Sequence, residues 1–212
     1  MNICMKVLAI SDNVLPPLEN QDNLRRQYSD IDLIISCGDM PAPYLDLISS
    51  TLSLPLFFVR GNHDARYEPG YPGGDDLHLK LMTYKGVSFA GLEGCLNYND
   101  EPVQYTELAM FIMVLKLAPI MVLRRLRFGN GIDVMVTHAP PRGIHDLKDR
   151  AHRGFRSFRL MLNLYRPRYM LHGHVDTWDN RRPTVTKLGV TEIININPVK
   201  VLTFEGGPPR GL

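Results

Sequence analysis

The sequence predicts an α/β protein, on two observations. Short apolar runs of strand character alternate with helical stretches, and each run stops at a cluster of Asp, Asn, Gly or His. The first run, residues 6–10, is followed by Ser11-Asp12. The second, 31–36, leads into Cys37-Gly38-Asp39, and the third, 55–60, into Gly61-Asn62-His63-Asp64. Helical patterns over 22–28 and 44–50 fit between them. Strands joined by crossover helices imply a parallel sheet with helices on its faces. In such sheets ligands bind at the carboxyl ends of the strands, where these polar groups fall.

The remaining elements follow in order. Residues 67–76 are rich in Gly, Pro and Asp and predict a loop. A further strand over 87–92 ends at Glu93-Gly94. From Thr106 a helical segment begins, apolar over 108–115 and 117–123 around a lone Lys116. Lys116 and Pro119 interrupt it too early for a bilayer span. A buried helix is its ordinary reading; its basic end, Arg124-Arg125-Leu126-Arg127, leaves open a homo-oligomer interface or a membrane-surface contact. Residues 132–136 lead into Thr137-His138-Ala139-Pro140-Pro141, and 169–171 into His172-Gly173-His174, with a helix over 157–165 between them. Residues 1–204 are expected to form one domain and 205–212 a flexible Gly/Pro-rich tail.

Size and charge bound the function. At 212 residues and 44% hydrophobic the chain can bury a sizeable core. Its 24 basic and 22 acidic residues nearly cancel, which argues against a dedicated nucleic-acid surface. A phosphate-bearing substrate stays open, because a metal ion can supply positive charge locally. Cys4, Cys37 and Cys95 form no CxxC pair and cannot all pair internally, so a reducing cytoplasm is expected; Cys4 and Cys37 look like small buried hydrophobes. The N-terminus lacks the charged region and cleavage site of a signal peptide.

The candidate metal ligands at the strand ends are Asp12, Asp39, Asn62, His138 and His174. Carboxylate, amide oxygen and imidazole make a mixed set suited to Mn²⁺, Fe or Zn²⁺ rather than a thiolate site. Each residue alone has an ordinary explanation: Asp12 as a cap, Asp39 as a turn residue, the histidines as satisfied core groups. Their recurrence at strand ends is hard to obtain from packing alone.

In these motifs the chain resembles the calcineurin-like metallophosphoesterases, whose strand ends carry Asp-x-His, Gly-Asp, Gly-Asn-His-Asp/Glu, a lone His and Gly-His-x-His. Here they stand as Ser11-Asp12-Asn13-Val14, Gly38-Asp39, Gly61-Asn62-His63-Asp64, Thr137-His138 and Gly173-His174-Val175-Asp176. The stretches Ile144-His145-Asp146 and Asp149-Arg150-Ala151-His152-Arg153-Gly154 resemble a bacterial branch of that family, in which an apolar residue is usual where Val14 stands. The resemblance implies two mixed β-sheets packed face to face with helices outside. It implies a divalent-metal pair bridged by Asp39, with Asn62, His138 and His174 completing one shell and Asp12 in the other. It gives His63 the role of general acid or transition-state stabiliser, oriented by Asp64.

The sequence departs from the family at Val14 and Asp176, each standing where the family has a histidine. With Asp176 as a substitute ligand, the first shell becomes all carboxylate and favours Mn²⁺ or Mg²⁺. His145, His152 and Arg153 are candidates for one wall of the site, and His172 for support of a ligand. The expected activity is hydrolysis of a phosphodiester or phosphomonoester by metal-activated hydroxide. A catalytically weak metal-binding scaffold and a membrane-associated head-group hydrolase are the competing readings.

Overall fold

In the computed structural model, which describes residues 3–64, 67, 70–128, 131–177, 179 and 181–206, the chain begins with β1 (Ile3–Ile10), α1 (Pro16–Glu19) and α2 (Gln21–Gln27). Then come β2 (Leu33–Ser36), α3 (Ala42–Leu52), β3 (Leu56–Phe58), β4 (Asp75–Asp76), β5 (Leu81–Tyr84) and β6 (Val87–Leu92). Two short strands, β7 (Cys95–Leu96) and β8 (Gln104–Tyr105), precede the long helix α4 (Glu107–Phe128). The chain closes with β9 (Val134–Thr137), α5 (Arg156–Tyr165), β10 (Tyr169–His172), β11 (Val185–Leu188), β12 (Thr191–Asn195) and β13 (Val199–Gly206).

Two mixed sheets result. The first has the order β13-β1-β2-β3-β4 and the second β11-β12-β10-β9-β6-β5. Within the first, β1 through β4 run parallel and β13 is antiparallel to β1. Within the second, β12, β10, β9 and β6 are parallel, and β11 and β5 form antiparallel edges. The central strands β2 and β9 are buried at every position, which is why they read as continuous apolar runs rather than alternating ones.

Three apolar clusters fill the layers. Val7, Ala9, Ile35 and Phe57 of the first sheet meet Phe89, Val134, Val136 and Leu171 of the second, so the sheets pack face to face. Leu18, Leu24, Leu45 and Ile48 of α1–α3 cover the outer face of the first sheet. Met110, Val114, Leu117 and Met121 of α4, with Phe158 and Leu162 of α5, cover the second. Local chemistry starts these helices. The Asn20 side chain accepts from the Asn23 amide ahead of α2, and the Thr106 hydroxyl from the Ala109 amide ahead of α4. The Glu107 carboxylate accepts from the Arg156 and Ser157 amides, so the start of α4 caps the start of α5.

Several expectations need correction. The helical segment expected from Thr106 is one 22-residue helix, Glu107–Phe128, that continues through Pro119. The expected loop over 67–76 ends in β4, which pairs with β3; residues 68 and 69 lie outside the described residues. The tail expected from Glu205 begins inside β13, because Glu205 and Gly206 still pair with Cys4 and Ile3; residues 207–212 lie outside the described residues. Cys4 is exposed rather than buried, lying on the side of β1 shared with Lys6 and short of the helices that cover Leu8 and Ile10. No described helix is long and apolar enough to cross a membrane.

Candidate metal centre

The strand ends converge. Hydrogen bonding continues past the regular strands: the Cys37 amide donates to Ile10, Asp12 to Gly38, Val59 to Ser36 and Gly173 to His138. Asp12, Asp39 and His174 each follow a strand end with φ of 65°, 55° and 66°. The left-handed region costs a non-glycine residue energy. Here it turns three of the five candidate ligands out of their sheets at one end of the sandwich.

Ligand atoms of Asp39, His138 and His174 all lie within 4.8 Å of one another. His138 is fully buried, and its Nδ1 lies 2.9 Å from the Cys37 carbonyl, to which that nitrogen donates. Its Nε2 then faces Asp39 Oδ2 at 3.2 Å and Asn62 Oδ1 at 3.1 Å. A neutral ring held in this tautomer points a lone pair at two oxygen acceptors. Only a cation relieves that arrangement, whether a proton on His138 or a metal ion. The electrostatics show the same demand. Burial lowers the His138 pKa, but the Asp39 carboxylate outweighs it and lifts the group to about 9. Burial opposes ionisation of Asp39, yet His138 holds it at about 2. His174 Nε2 donates to the Ala151 carbonyl at 2.7 Å, which leaves Nδ1 as its free donor to a metal; burial, and then His138, push its pKa down to about 3. A borderline cation with carboxylate, amide and imidazole donors fits these residues.

Asp12 joins this group through the backbone. Both its oxygens accept from the His174 amide, at 3.0 and 2.9 Å, and burial raises its pKa. The loops approach closely enough to require glycine. A Cβ at Gly61 would lie 2.0 Å from Asp39 Oδ1, and one at Gly173 1.9 Å from Ser11 Oγ. Asp64 does not serve the His63 ring as expected. Its carboxylate accepts from the amides of Asp39, Met40 and Gly61 at 2.6, 3.1 and 2.8 Å, so it ties the two ligand-bearing turns together. Short turns expose their amides, and a buried carboxylate is the group that satisfies several of them at once. Burial raises its pKa to about 6.

His63 is exposed, with its amide donating to Asp39 Oδ1 at 2.8 Å. It borders a cavity of about 330 Å³ lined also by Asp39, Met40, Asp64 and Tyr67. Asp176 is exposed and stands apart from the Asp39, His138 and His174 group. Its Oδ1 accepts from Asn13 and Asn197 at 3.3 and 3.0 Å. His152 lies against the His174 ring at 5.3 Å between centroids, while Arg153 donates to the Lys148 carbonyl.

His145 and His172, both candidates from the sequence, support the site, but the partners of several supporting groups escape sequence reasoning. His172 Nε2 meets His145 Nδ1 at 2.9 Å, and His145 Nε2 meets the Thr186 hydroxyl at 2.8 Å. Tyr98 accepts from the Asn62 amide nitrogen at 3.3 Å, leaving Oδ1 turned to His138. Behind Asn62, Arg60 donates to both oxygens of the buried Glu93, at 2.7 and 3.0 Å. The Asn197 contact had a legible signal, since Ile-Asn-Ile-Asn-Pro over 194–198 is another apolar run ending in amides. The Tyr98 and Thr186 contacts have no such sign, because neither residue follows an apolar run.

The architecture is shared with solved structures. TT1561 of Thermus thermophilus is 16% identical with a TM-score of 0.64, over 97% of this chain and 100% of that one. GAP50, the anchor in the inner membrane complex of Plasmodium, is 13% identical with a TM-score of 0.53, over 91% of this chain and 71% of its own. At such identities these likenesses speak for the fold alone. No curated protein matches the chain in sequence. Residues 5–177, which carry every candidate ligand, match the family described as calcineurin-like phosphoesterase, and the chain belongs to that family.

Proposed function

We propose that the chain is a working metal-dependent phosphoesterase that hydrolyses a small phosphodiester or phosphomonoester, the diester being preferred. The observation that carries this reading is the convergence of Asp39, His138 and His174 beside an exposed His63 at the mouth of a cavity. Divalent ions held by such donors supply Lewis acidity and activate water for attack on phosphorus. Asp39, Asn62, His138 and His174 are assigned to one ion. Asp12 and Asp39 are assigned to the other, Mn²⁺ being the preferred metal. Asp176 is assigned to that second shell through Oδ2, since the Asn13 and Asn197 amides both bind its Oδ1.

The chain's own residues do the rest. In this reading His63 protonates the leaving alkoxide, and the hydrogen bond from its backbone amide to Asp39 anchors the turn that carries the ring. Asp64 holds the turns that carry His63 and Asp39 in register. Tyr98 orients Asn62 so that oxygen, not nitrogen, faces the ion.

The exposed, amide-bound Asp176 and the missing histidine at Val14 favour a second reading, a metal-binding scaffold with weak catalysis. Metal content measured on gently purified protein, with turnover of bis(p-nitrophenyl) phosphate in Mn²⁺, separates the two. The enzyme reading expects turnover that His63→Ala lowers by about 10²–10⁴-fold while metal content stays unchanged. Bound metal without turnover on diester or monoester under any divalent ion supports the scaffold.

A further inference from the structure

Helix α4 is apolar on two sides. Met110, Val114, Leu117 and Met121 are buried against the second sheet and α5. On the opposite side Leu108, Ile112, Leu115, Val122 and Leu126 are between 44% and 67% exposed, and Pro119 is exposed among them. A helix that is hydrophobic all round is normally covered all round.

The exposed residues are not scattered. From Leu108 through Ile112, Leu115, Pro119 and Val122 to Leu126 the steps are four, three, four, three and four, the spacing that keeps residues on one continuous helix face. The series also reads the same in both directions. Antiparallel pairing with an identical stripe across a two-fold axis at the level of Leu117 therefore sets Leu108 against Leu126, Ile112 against Val122 and Leu115 against Pro119. Such an isologous contact is self-complementary.

We propose that this outer stripe of α4 is the self-association surface of the chain and that its occupant is α4 of a second copy, packed antiparallel. Charge selects the direction. Arg124, Arg125 and Arg127 crowd one end of the helix. Parallel pairing brings the two arginine clusters side by side. Antiparallel pairing separates them by on the order of 27 Å, well beyond the ~8 Å over which charges act at physiological salt. The available surface also suffices. The stripe with Leu123 and the neighbouring Leu160 and Leu164 of α5 exposes large apolar residues, at on the order of 80 Å² each. Together they offer roughly 640 Å² per copy, at the lower end of the ~600–1,000 Å² each partner contributes to a stable interface. At the end of the stripe, an apolar cavity of about 420 Å³ beside Leu108, Phe111 and Leu160 lies where Leu126 of the other copy arrives. A lipid surface fits less well. On lipid nothing would fix the helix's direction or use the match between the two ends of the stripe, and the vesicle experiment below separates the two occupants.

Sedimentation velocity on the full chain tests this. Expected is a species of twice the 24.1 kDa chain mass, converted to monomer by Ile112→Asp with Val122→Asp, with circular dichroism and metal content unchanged. In a Cys4→Ser background, mixing Leu108→Cys with Leu126→Cys should give a disulfide-linked pair that neither variant forms alone. A wild-type chain monomeric at about 100 µM overturns the proposal. So does a dimer that survives the double substitution, or a monomer that floats with phosphatidylglycerol vesicles, which would assign the stripe to lipid.

Discussion

Asp39 and His138 follow central strands of different sheets, and their Oδ2 and Nε2 atoms meet at 3.2 Å. The contact joins the two sheets at the rim of the sandwich. It also couples the charge of one sheet to that of the other, because each group holds the other in its ionised form. Removing either partner strips the site of a donor and leaves the other without its counter-charge. Asp39→Asn and His138→Ala should each weaken divalent-metal binding by at least about 100-fold, measured by calorimetric titration. Unchanged affinity in both would remove this pair from the metal centre.

Gly61 is where the two ligand-bearing turns touch. The 2.0 Å clearance from a would-be Cβ to Asp39 Oδ1 means that Gly61→Ala must push the carboxylate or the turn aside. Expected are a stability loss of about 1–3 kcal/mol and a larger loss of metal affinity, with the far-ultraviolet spectrum intact. A variant that binds metal like the wild type would show that the turns can part without harm.

Glu93 carries a buried charge that Arg60 balances. The Glu93→Ala change strands the guanidinium and should destabilise the fold by about 3–5 kcal/mol in urea denaturation. Replacing both residues by apolar ones of similar volume should recover part of that loss, the rest remaining because the Tyr105 hydroxyl, which donates to Glu93, loses its acceptor.

His145 supplies a pH signature. Burial and Lys200 lower its pKa from 6.5 to about 4, so between those values the unfolded chain binds more protons than the folded one. This contribution to stability is complete above pH 6.5 and is lost as the pH falls toward 4. His145→Asn tolerates the φ of 60° and should flatten the acid loss over that window by on the order of 1 kcal/mol, after allowance for partial exposure. It should also be less stable than the wild type at neutral pH, because the contacts to His172 and Thr186 go.

Much of this was legible in the chain before any tertiary structure. A strand buried on both faces must be a continuous apolar run, and a ligand that leaves its end must be polar. The ends at Asp12, Asp39, Asn62, His138 and His174 therefore announce themselves through their own covalent neighbours. The helices over Gln21–Gln27 and Arg156–Tyr165 are equally local. What these segments do not contain is the identity of their partners. Asp64 follows His63 directly and was expected to serve it. Its carboxylate went instead to the amides of Asp39 and Met40, about two dozen residues away, because unpaired buried amides there need an acceptor more than an exposed ring does. Asp176 stands in the family's histidine position, yet Asn13 and Asn197 hold it, and both come from distant parts of the chain. The sequence by itself determined which residues could bear the chemistry, because strand burial and turn geometry act over a few residues. Only the tertiary structure decided which of them share a centre, because that depends on how the two sheets stack and on where buried polar groups find their partners.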